Sequence, residues 1–182
     1  MALSSTVHRF KIALSDVDRG VYEALDLRVA RHPSETMRYM LTRVFAYCLS
    51  YEDGIEFTQG LSQGDEPAVW VKTLDGRPSA WIEVGTPAGE RLHRASKGWP
   101  RVVIFTHHDP ALLQRETAKT SIHNLEQLRA YAVDQGLLDA LEPHVERTTS
   151  WELVNTEGQL YVTAGGKSFS GALTPVALER AG

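Results

Sequence analysis

Hydrophobic and polar side chains alternate at the start of the chain. Between residues 5 and 14, His8, Phe10, Ile12 and Leu14 alternate with Val7, Arg9 and Lys11, which is the period of a β-strand. A turn over Ser15–Gly20 separates this run from a second alternating run, Val21–Ala30. The pattern predicts an antiparallel hairpin at the N-terminus.

A helical period then replaces the alternation. From Pro33 to Tyr51 the apolar residues recur at the i, i+3, i+4 and i+7 spacing of a helix with a buried face. Proline suits the first helical position, and Glu35 would then lie in the first turn, where the helix dipole favours an acid. The local pattern therefore predicts a helix over this segment with Glu35 as a capping acid.

The centre of the chain shows strand patterns with a turn between them. A short run over Ile55–Thr58 is followed by two longer runs, Ala68–Leu74 and Ser79–Val84, which Asp75–Pro78 connects. Asp-Gly between such runs is a hairpin signal, because glycine accepts a positive φ. Pro78 favours a four-residue loop over a two-residue turn, and both remain open.

Either loop gives the same relation between the faces of the two strands. In both registers the numbers of two directly opposed residues add up to an odd number. An even-numbered residue of the first strand therefore shares a face with an odd-numbered residue of the second, so Glu66 rather than Asp65 shares a face with Glu83. A three-residue loop would reverse this parity. With the shorter turn the two glutamates would lie about 7–8 Å apart at Cα. The longer loop would need a bend at Pro67 to bring them together.

Two carboxylates beside the small residue Gly85 form a candidate site for a hard cation. Mg²⁺ usually takes one or two carboxylates, keeps several waters and orients phosphate oxygens. A solvated acidic face explains the same residues equally well, so the local sequence leaves both interpretations open.

A basic helix is predicted after this hairpin, from Thr86-Pro87 to about Trp99. Three basic residues recur on it at i, i+3 and i+6: Arg91, Arg94 and Lys97. Such a stripe could contact phosphates. A solvated polar face gives the same spacing and is slightly favoured on local grounds.

The remaining pattern predicts further elements in order. The run Arg101–His107 is typical of a strand buried on both faces. Asp109-Pro110 should open a helix, and Asp134 should cap another, while Ile122–Val133 is ambiguous between strand and helix. From Arg147 onward, turn signals at residues 156–158 and 165–167 predict a three-stranded meander.

The sequence His107-His108-Asp109 resembles a metal cluster, but neighbouring residues of a strand point to opposite faces. We therefore do not expect the two histidines to share an ion.

Composition narrows the class of protein. The chain has 182 residues, 42% of them hydrophobic, which suits a single domain over residues 1–182. A net charge of −4 argues against a protein that coats nucleic acid non-specifically, since such proteins are usually basic. The lone cysteine, Cys48, permits no internal disulfide and is expected to be inert. No run is long enough to span a membrane and no signal peptide is evident, so we expect a cytoplasmic protein.

Several segments together resemble the bacterial YaeQ family. They are Ala30–Thr36 (ARHPSET), Gly60-Leu61, Asp65-Glu66-Pro67 with Trp70, and Trp81–Gly85 (WIEVG). The resemblance covers essentially the whole chain. That family is similar in fold to the PD-(D/E)xK nuclease superfamily. The resemblance implies an α+β or α/β fold with a mixed central β-sheet flanked by helices. Its restriction-endonuclease-like core would run in αβββαβ order, with an extra N-terminal hairpin and a C-terminal β-meander.

The resemblance also implies roles for individual residues. Glu35 matches the acid on the first core helix, while Glu66 (or Asp65) and Glu83 match the two metal-binding acids. The superfamily places a lysine two positions after the second acid, and this chain has Gly85 there. Some members supply the cation from the following helix.

Here Lys97 or Arg94 would be that cation. Arginine would serve less well in proton transfer, because it stays charged.

Two functions of different classes follow from this resemblance. The first is a phosphodiesterase acting on nucleic acid. In it Mg²⁺ or Mn²⁺ binds Glu66 and Glu83, Glu35 supports the site through water, and the stripe Arg91, Arg94 and Lys97 grips the backbone. The second is a non-catalytic binding or regulatory module that retains the fold, which the missing lysine and the acidic net charge favour. We expect a monomer without a membrane partner, and the sequence names no protein partner.

Overall fold

Ten strands pair edge to edge in one sheet in the computed structural model, which describes residues 4–59, 64–180 and 182. The Gly60-Leu61 segment of the family motif lies outside the described residues. The strands are β1 Thr6–Asp16, β2 Val21–Arg31, β3 Ile55–Phe57, β4 Val69–Lys72, β5 Pro78–Val84, β6 Arg101–Thr106, β7 Arg129–Val133, β8 Thr148–Thr156, β9 Gln159–Ala164 and β10 Lys167–Pro175. The α-helices are α1 Met37–Leu49, α2 Gly89–Gly98, α3 Pro110–Ala118 and α4 Gln135–Leu141. The described residues also contain the 3₁₀ turns Leu125–Gln127 and Glu142–His144.

The sheet is mixed and mostly antiparallel, with the strand order β2-β1-β8-β9-β10-β7-β6-β5-β4-β3. Parallel pairing occurs between β1 and β8 and along β5, β6 and β7. The predicted N-terminal hairpin and C-terminal meander are confirmed. The meander is not an appendage, since β8–β10 join the hairpin to the other half of the sheet. The order α1, β3, β4, β5, α2, β6 agrees with the expected αβββαβ order, and kinship with the nuclease superfamily stays a hypothesis.

Helix α1 forms the centre of the molecule. It contacts the edge strands β2 and β3 as well as β4, β5 and β6, so the sheet must curl around it almost to closure. Its buried apolar side chains belong to the larger core cluster: Met40, Leu41, Val44, Phe45, Ala46, Cys48 and Leu49. On the outer face, α2 and α3 pack on β5–β7 through a second cluster. Strand β6 is therefore buried on both faces, as its composition predicted.

The predicted start of α1 at Pro33 is wrong. The helix begins at Met37, and the Oγ1 atom of Thr36 accepts the Tyr39 N–H (3.1 Å) as its cap. Residues 32–35 form a turn instead, in which the Glu35 N–H donates to the carbonyl of His32 (2.9 Å). Glu35 thus precedes the helix and does not cap it.

The β4–β5 hairpin has the predicted parity, but neither the two-residue turn nor the four-residue loop is present, since Lys72 pairs with Pro78. Val69 opposes Ile82 and Trp70 opposes Trp81, which is the register of a two-residue turn. The loop nevertheless runs further, and the Thr73 N–H donates to the carbonyl of Arg77 (3.0 Å). An irregularity after Val71 absorbs the extra residue, as a β-bulge does.

The later elements largely follow the sequence pattern. The carboxylates of Asp109 and Asp134 accept N–H groups in the first turns of α3 and α4, which confirms both predicted caps. The ambiguous segment 122–133 contains a 3₁₀ turn and β7. Helix α2 begins at Gly89, three residues later than Thr86. Among the described helices, none has the length and apolar character needed to cross a membrane.

Candidate functional site

A cleft of about 340 Å³ lies at the carboxyl ends of β5 and β6. These strands run parallel, and the loops at the carboxyl ends of parallel strands are a common place for ligand sites. The cleft is bounded by α1 on one side and α2 on the other. Six of its lining side chains carry polar groups of chemical interest: Tyr39, Glu66, Glu83, Arg91, His107 and His108.

The structure places Glu66 and Glu83 in the same cleft. Glu83 is buried near the end of β5, whereas Glu66 is half-buried and precedes β4 by three residues. One carboxylate oxygen of Glu66 accepts the Gln59 N–H (3.2 Å). Asp65 is exposed and lines a neighbouring pocket rather than this cleft. The geometry therefore favours Glu66 over Asp65 as the partner of Glu83.

Arg91 already neutralises Glu83. Its Nε and Nη2 atoms donate to the two carboxylate oxygens of Glu83 at 2.6 and 3.1 Å. The same guanidinium donates to the carbonyls of Gly64 and Glu66, both at 2.5 Å. Burial raises the pKa of Glu83, and the charge of Arg91 opposes that rise. Arg91 is thus a bidentate partner of the acid and ties the loop before β4 to the sheet.

Of the three residues in the predicted basic stripe, only Arg91 lines the cleft. Arg94 and Lys97 are exposed on α2, and neither lines the cleft. Six residues of helix carry Lys97 about 9 Å along the axis from Arg91. Neither cation therefore lines the cleft that contains the two glutamates.

Glu35 is not part of this cleft either. Its side chain is 1% exposed, and its two oxygens accept hydrogen bonds from Nη1 of Arg43 at 2.7 and 2.9 Å. The pair lies in the interior of the protein. The expectation that Glu35 supports a metal site through water is therefore not favoured by its position.

Three lining residues were not identified as site residues from the sequence: Tyr39, His107 and His108. Strand β6 ends at Thr106, so the alternation of a strand does not separate the two histidines. Their ring centroids are 4.0 Å apart, and Nδ1 of His108 lies 2.9 Å from Oγ1 of Thr86. The prediction that the two histidines point to opposite faces is wrong. Parallel pairing of β5 with β6 would have revealed them, because their carboxyl ends meet at one edge.

The imidazole ring of His107 lies beside Gly85. This residue has a φ of +95°, and a Cβ there would lie 3.7 Å from Cε1 of His107 and 3.9 Å from Cε2 of Tyr39. His107 is 5% exposed, and its Nδ1 atom has no hydrogen-bond partner among the described residues. An imidazole nitrogen with free bonding capacity therefore stands next to the position of the missing lysine.

Burial controls the ionisation of these side chains. It lowers the pKa of His107 to about 4, with the charges of His108 and Arg38 acting in the same direction. It raises the pKa of Tyr39 to about 12, and the nearby carboxylate of Glu83 adds to this effect. At neutral pH the cleft thus presents a neutral imidazole and a neutral phenol. No group of three metal-ligating side chains occurs in the described part of the chain.

The pKa of His107 predicts a pH-dependent stability. Between about pH 6.5 and pH 4 the unfolded chain protonates this imidazole while the folded chain does not, so stability is lost as the pH falls. Urea unfolding across this range should show wild type losing about 2–3 kcal/mol more than His107→Gln. The variant is the control for all other titrating groups. Parallel stability curves for the two proteins would contradict the burial of a neutral imidazole.

Comparisons with known proteins agree with one another. The family model described as YaeQ protein matches residues 1–172. The uncharacterized protein YaeQ of Salmonella typhi is 27% identical over 164 residues, covering 90% of this chain and 91% of the relative. Its namesake from Escherichia coli strain K12 is 26% identical over the same lengths.

Two solved structures share the fold. The crystal structure of YaeQ protein from Pseudomonas syringae has a TM-score of 0.86 and 34% identity, covering 96% of this chain and 97% of that one. The crystal structure of YaeQ protein from Xanthomonas axonopodis pv. citri has a TM-score of 0.83 and 28% identity, covering 98% and 100%.

Proposed function

We propose, since the chain belongs to the YaeQ family, that its cleft is the active site of a divalent-metal-dependent phosphodiesterase acting on nucleic acid. The observation that carries this proposal is that Glu66 and Glu83 line one cleft at the carboxyl ends of two parallel strands. The element order from α1 to β6 is consistent with a nuclease-like core.

The residues fit a small hard cation under one condition. Mg²⁺ needs only one or two carboxylates beside its waters, and Glu66 and Glu83 supply two. Both oxygens of Glu83 already accept from Arg91, so the ion competes with one of those hydrogen bonds. When bound, the ion would supply Lewis-acid stabilisation of the phosphoryl oxygens and a more acidic water.

The chain's own residues supply proton transfer and positioning. His107 stands against Gly85, where the superfamily has its lysine, and its neutral imidazole can accept a proton from water. Thr86 holds the neighbouring ring of His108 in place. In this proposal Arg94 and Lys97, which are exposed on α2, contact the nucleic-acid backbone outside the cleft.

A test of this proposal combines metal binding with cleavage. Mn²⁺ should raise the melting temperature of wild type, because a ligand that binds only the folded state stabilises it. Glu66→Gln and Glu83→Gln should abolish that rise. They should also lower metal-dependent cleavage of a labelled oligonucleotide by about a hundredfold or more, as expected when a group acting on developing charge is lost. Asp65→Asn is the matched control, since this exposed acid adjoins Glu66 but does not line the cleft, and it should behave as wild type.

A second function is favoured by one specific contact. Arg91 forms a bidentate ion pair with Glu83, so a side chain already neutralises the carboxylate that a metal ion would bind. A domain fixed in this way would serve as a non-catalytic binding module. Absence of both the melting shift and cleavage in wild type, under conditions where the protein is folded, would overturn the phosphodiesterase and favour the module.

A further inference from the structure

A second cavity lies at the opposite end of α1 from the cleft. Its volume is about 810 Å³, against about 340 Å³ for the cleft, and Leu49 and Ser50 at the end of α1 contribute to its wall. Small-molecule sites in proteins typically occupy about 300–1,000 Å³. The proposed phosphodiesterase uses none of the residues of this cavity.

Its floor is the inner face of three parallel strands. The registers place Ala80 opposite Arg101, Ile82 opposite Val103, and Val103 opposite Arg129. The apolar members of this face that line the cavity are Ala80, Ile82, Val103, Phe105 and Tyr131. Phe105 and Tyr131 stack with ring centroids 5.5 Å apart. Since Val103 and Tyr131 are only half-buried, the floor offers a flat ring an apolar surface.

The cavity lining also includes a hydrogen-bond acceptor that is unpaired within the described residues. Asn155 is 6% exposed, and its Nδ2 atom donates to the buried carboxylate of Asp16 (3.0 Å). Its Oδ1 atom has no partner among the described residues. A buried acceptor without a donor costs stability. A ligand with an N–H group would satisfy it.

One cation of the lining has no acid partner. Asp16 pairs with Arg19, and Glu52 pairs with Arg101. Arg129 donates through Nη1 to the carbonyls of Glu126 and Leu128, and within the described residues no carboxylate pairs with it.

The acids of the rim limit the charge that a ligand can carry there. Asp18 accepts the backbone N–H groups of Glu157 and Gly158, while the exposed carboxylate of Glu157 also lies on the rim. A single negative charge near Arg129 therefore fits better than a polyphosphate.

We propose that this cavity binds a flat aromatic monoanion that carries a ring N–H. The ring packs on the floor beside Tyr131, the N–H donates to Oδ1 of Asn155, and the anionic group accepts from Arg129. The proposal is independent of the function of the cleft.

Three probe compounds separate these contributions. Indole-3-acetate has the ring, the N–H and the carboxylate, indole lacks the carboxylate, and naphthalene-1-acetate lacks the N–H. Titrated into the ¹⁵N-labelled full-length chain, indole-3-acetate should give saturable amide shifts in β6 and β7. Indole and naphthalene-1-acetate should each bind about tenfold more weakly, because each lacks one directed hydrogen bond of the complete ligand.

The variant Arg129→Gln tests the cation separately. It should lower the affinity for indole-3-acetate about tenfold and leave the affinity for indole unchanged. Arg115→Gln, at an exposed position on α3 outside the cavity, should change neither affinity. The series of probes on wild type carries the test even if Arg129→Gln does not fold. Shifts that do not saturate, shifts outside the cavity, or equal affinity for all three probes would overturn the proposal.

Discussion

Replacing Glu35 with alanine is expected to lower the free energy of unfolding by about 3–5 kcal/mol, because it leaves the guanidinium of Arg43 buried without a counter-charge. The two side chains are 1% and 2% exposed. Arg43 also donates to the carbonyl of Ala30 (3.2 Å) and lies 5.5 Å from the ring centre of Phe57. The pair therefore joins β2, α1 and β3, and its loss should be felt across the larger core.

Two further variants make this prediction specific. The double variant Glu35→Leu/Arg43→Met removes both charges and should recover much of the lost stability, since apolar replacement of a whole buried pair is often close to neutral. Asp26→Ala breaks the exposed pair of Asp26 with Arg9 and should change the urea midpoint little. A Glu35→Ala protein as stable as Asp26→Ala would show that the buried pair is not needed.

The variant Arg91→Met is expected to lower the free energy of unfolding by about 2–3 kcal/mol. Glu83 would keep its buried carboxylate without its ion-pair partner, and the loop carbonyls of Gly64 and Glu66 would lose the donors that Arg91 provides. The effect should be smaller than that of Glu35→Ala, because the Arg91 side chain is 25% exposed. The pKa of Glu83 should rise further, since the charge that opposes the effect of burial is gone.

This variant also tests the metal hypothesis. With Arg91 removed, Mn²⁺ should bind the freed carboxylate of Glu83 more tightly and raise the melting temperature more than it does in wild type. Arg94→Met is the matched control, because this exposed arginine lies three residues further along α2 and has no ion pair among the described residues. If Mn²⁺ does not raise the melting temperature of Arg91→Met, Glu83 serves only as the ion-pair partner of Arg91. The binding module then becomes the better interpretation.

The two ion pairs have different consequences for function. Glu35–Arg43 is closed to solvent and contributes to the packing around α1. Glu83–Arg91 faces the cleft, so a ligand can compete for it. Of the acids that the family resemblance singled out, Glu35 therefore has a structural role, whereas Glu66 and Glu83 remain candidates for chemistry.

Local features of this chain were determined by the sequence itself. Alternation predicted β1 and β2, and turn signals predicted the meander. The aspartates before α3 and α4 identified the starts of those helices. The parity of the β4–β5 hairpin predicted Glu66 rather than Asp65 beside Glu83, and Glu66 lines the cleft together with Glu83. These properties depend on residues a few positions apart, whose geometry the backbone period fixes.

The tertiary structure alone decided which charges meet and what the cleft contains. Arg43 lies eight residues from Glu35, as Arg91 does from Glu83, and no local period selects those partners. His107 enters the cleft because β6 ends one residue earlier and runs parallel to β5. Asn155 meets Asp16 across 139 positions, since β1 and β8 are neighbours in the sheet. Hydrogen bonds and ion pairs act over a few ångströms, so they depend on how distant segments pack rather than on their spacing along the chain.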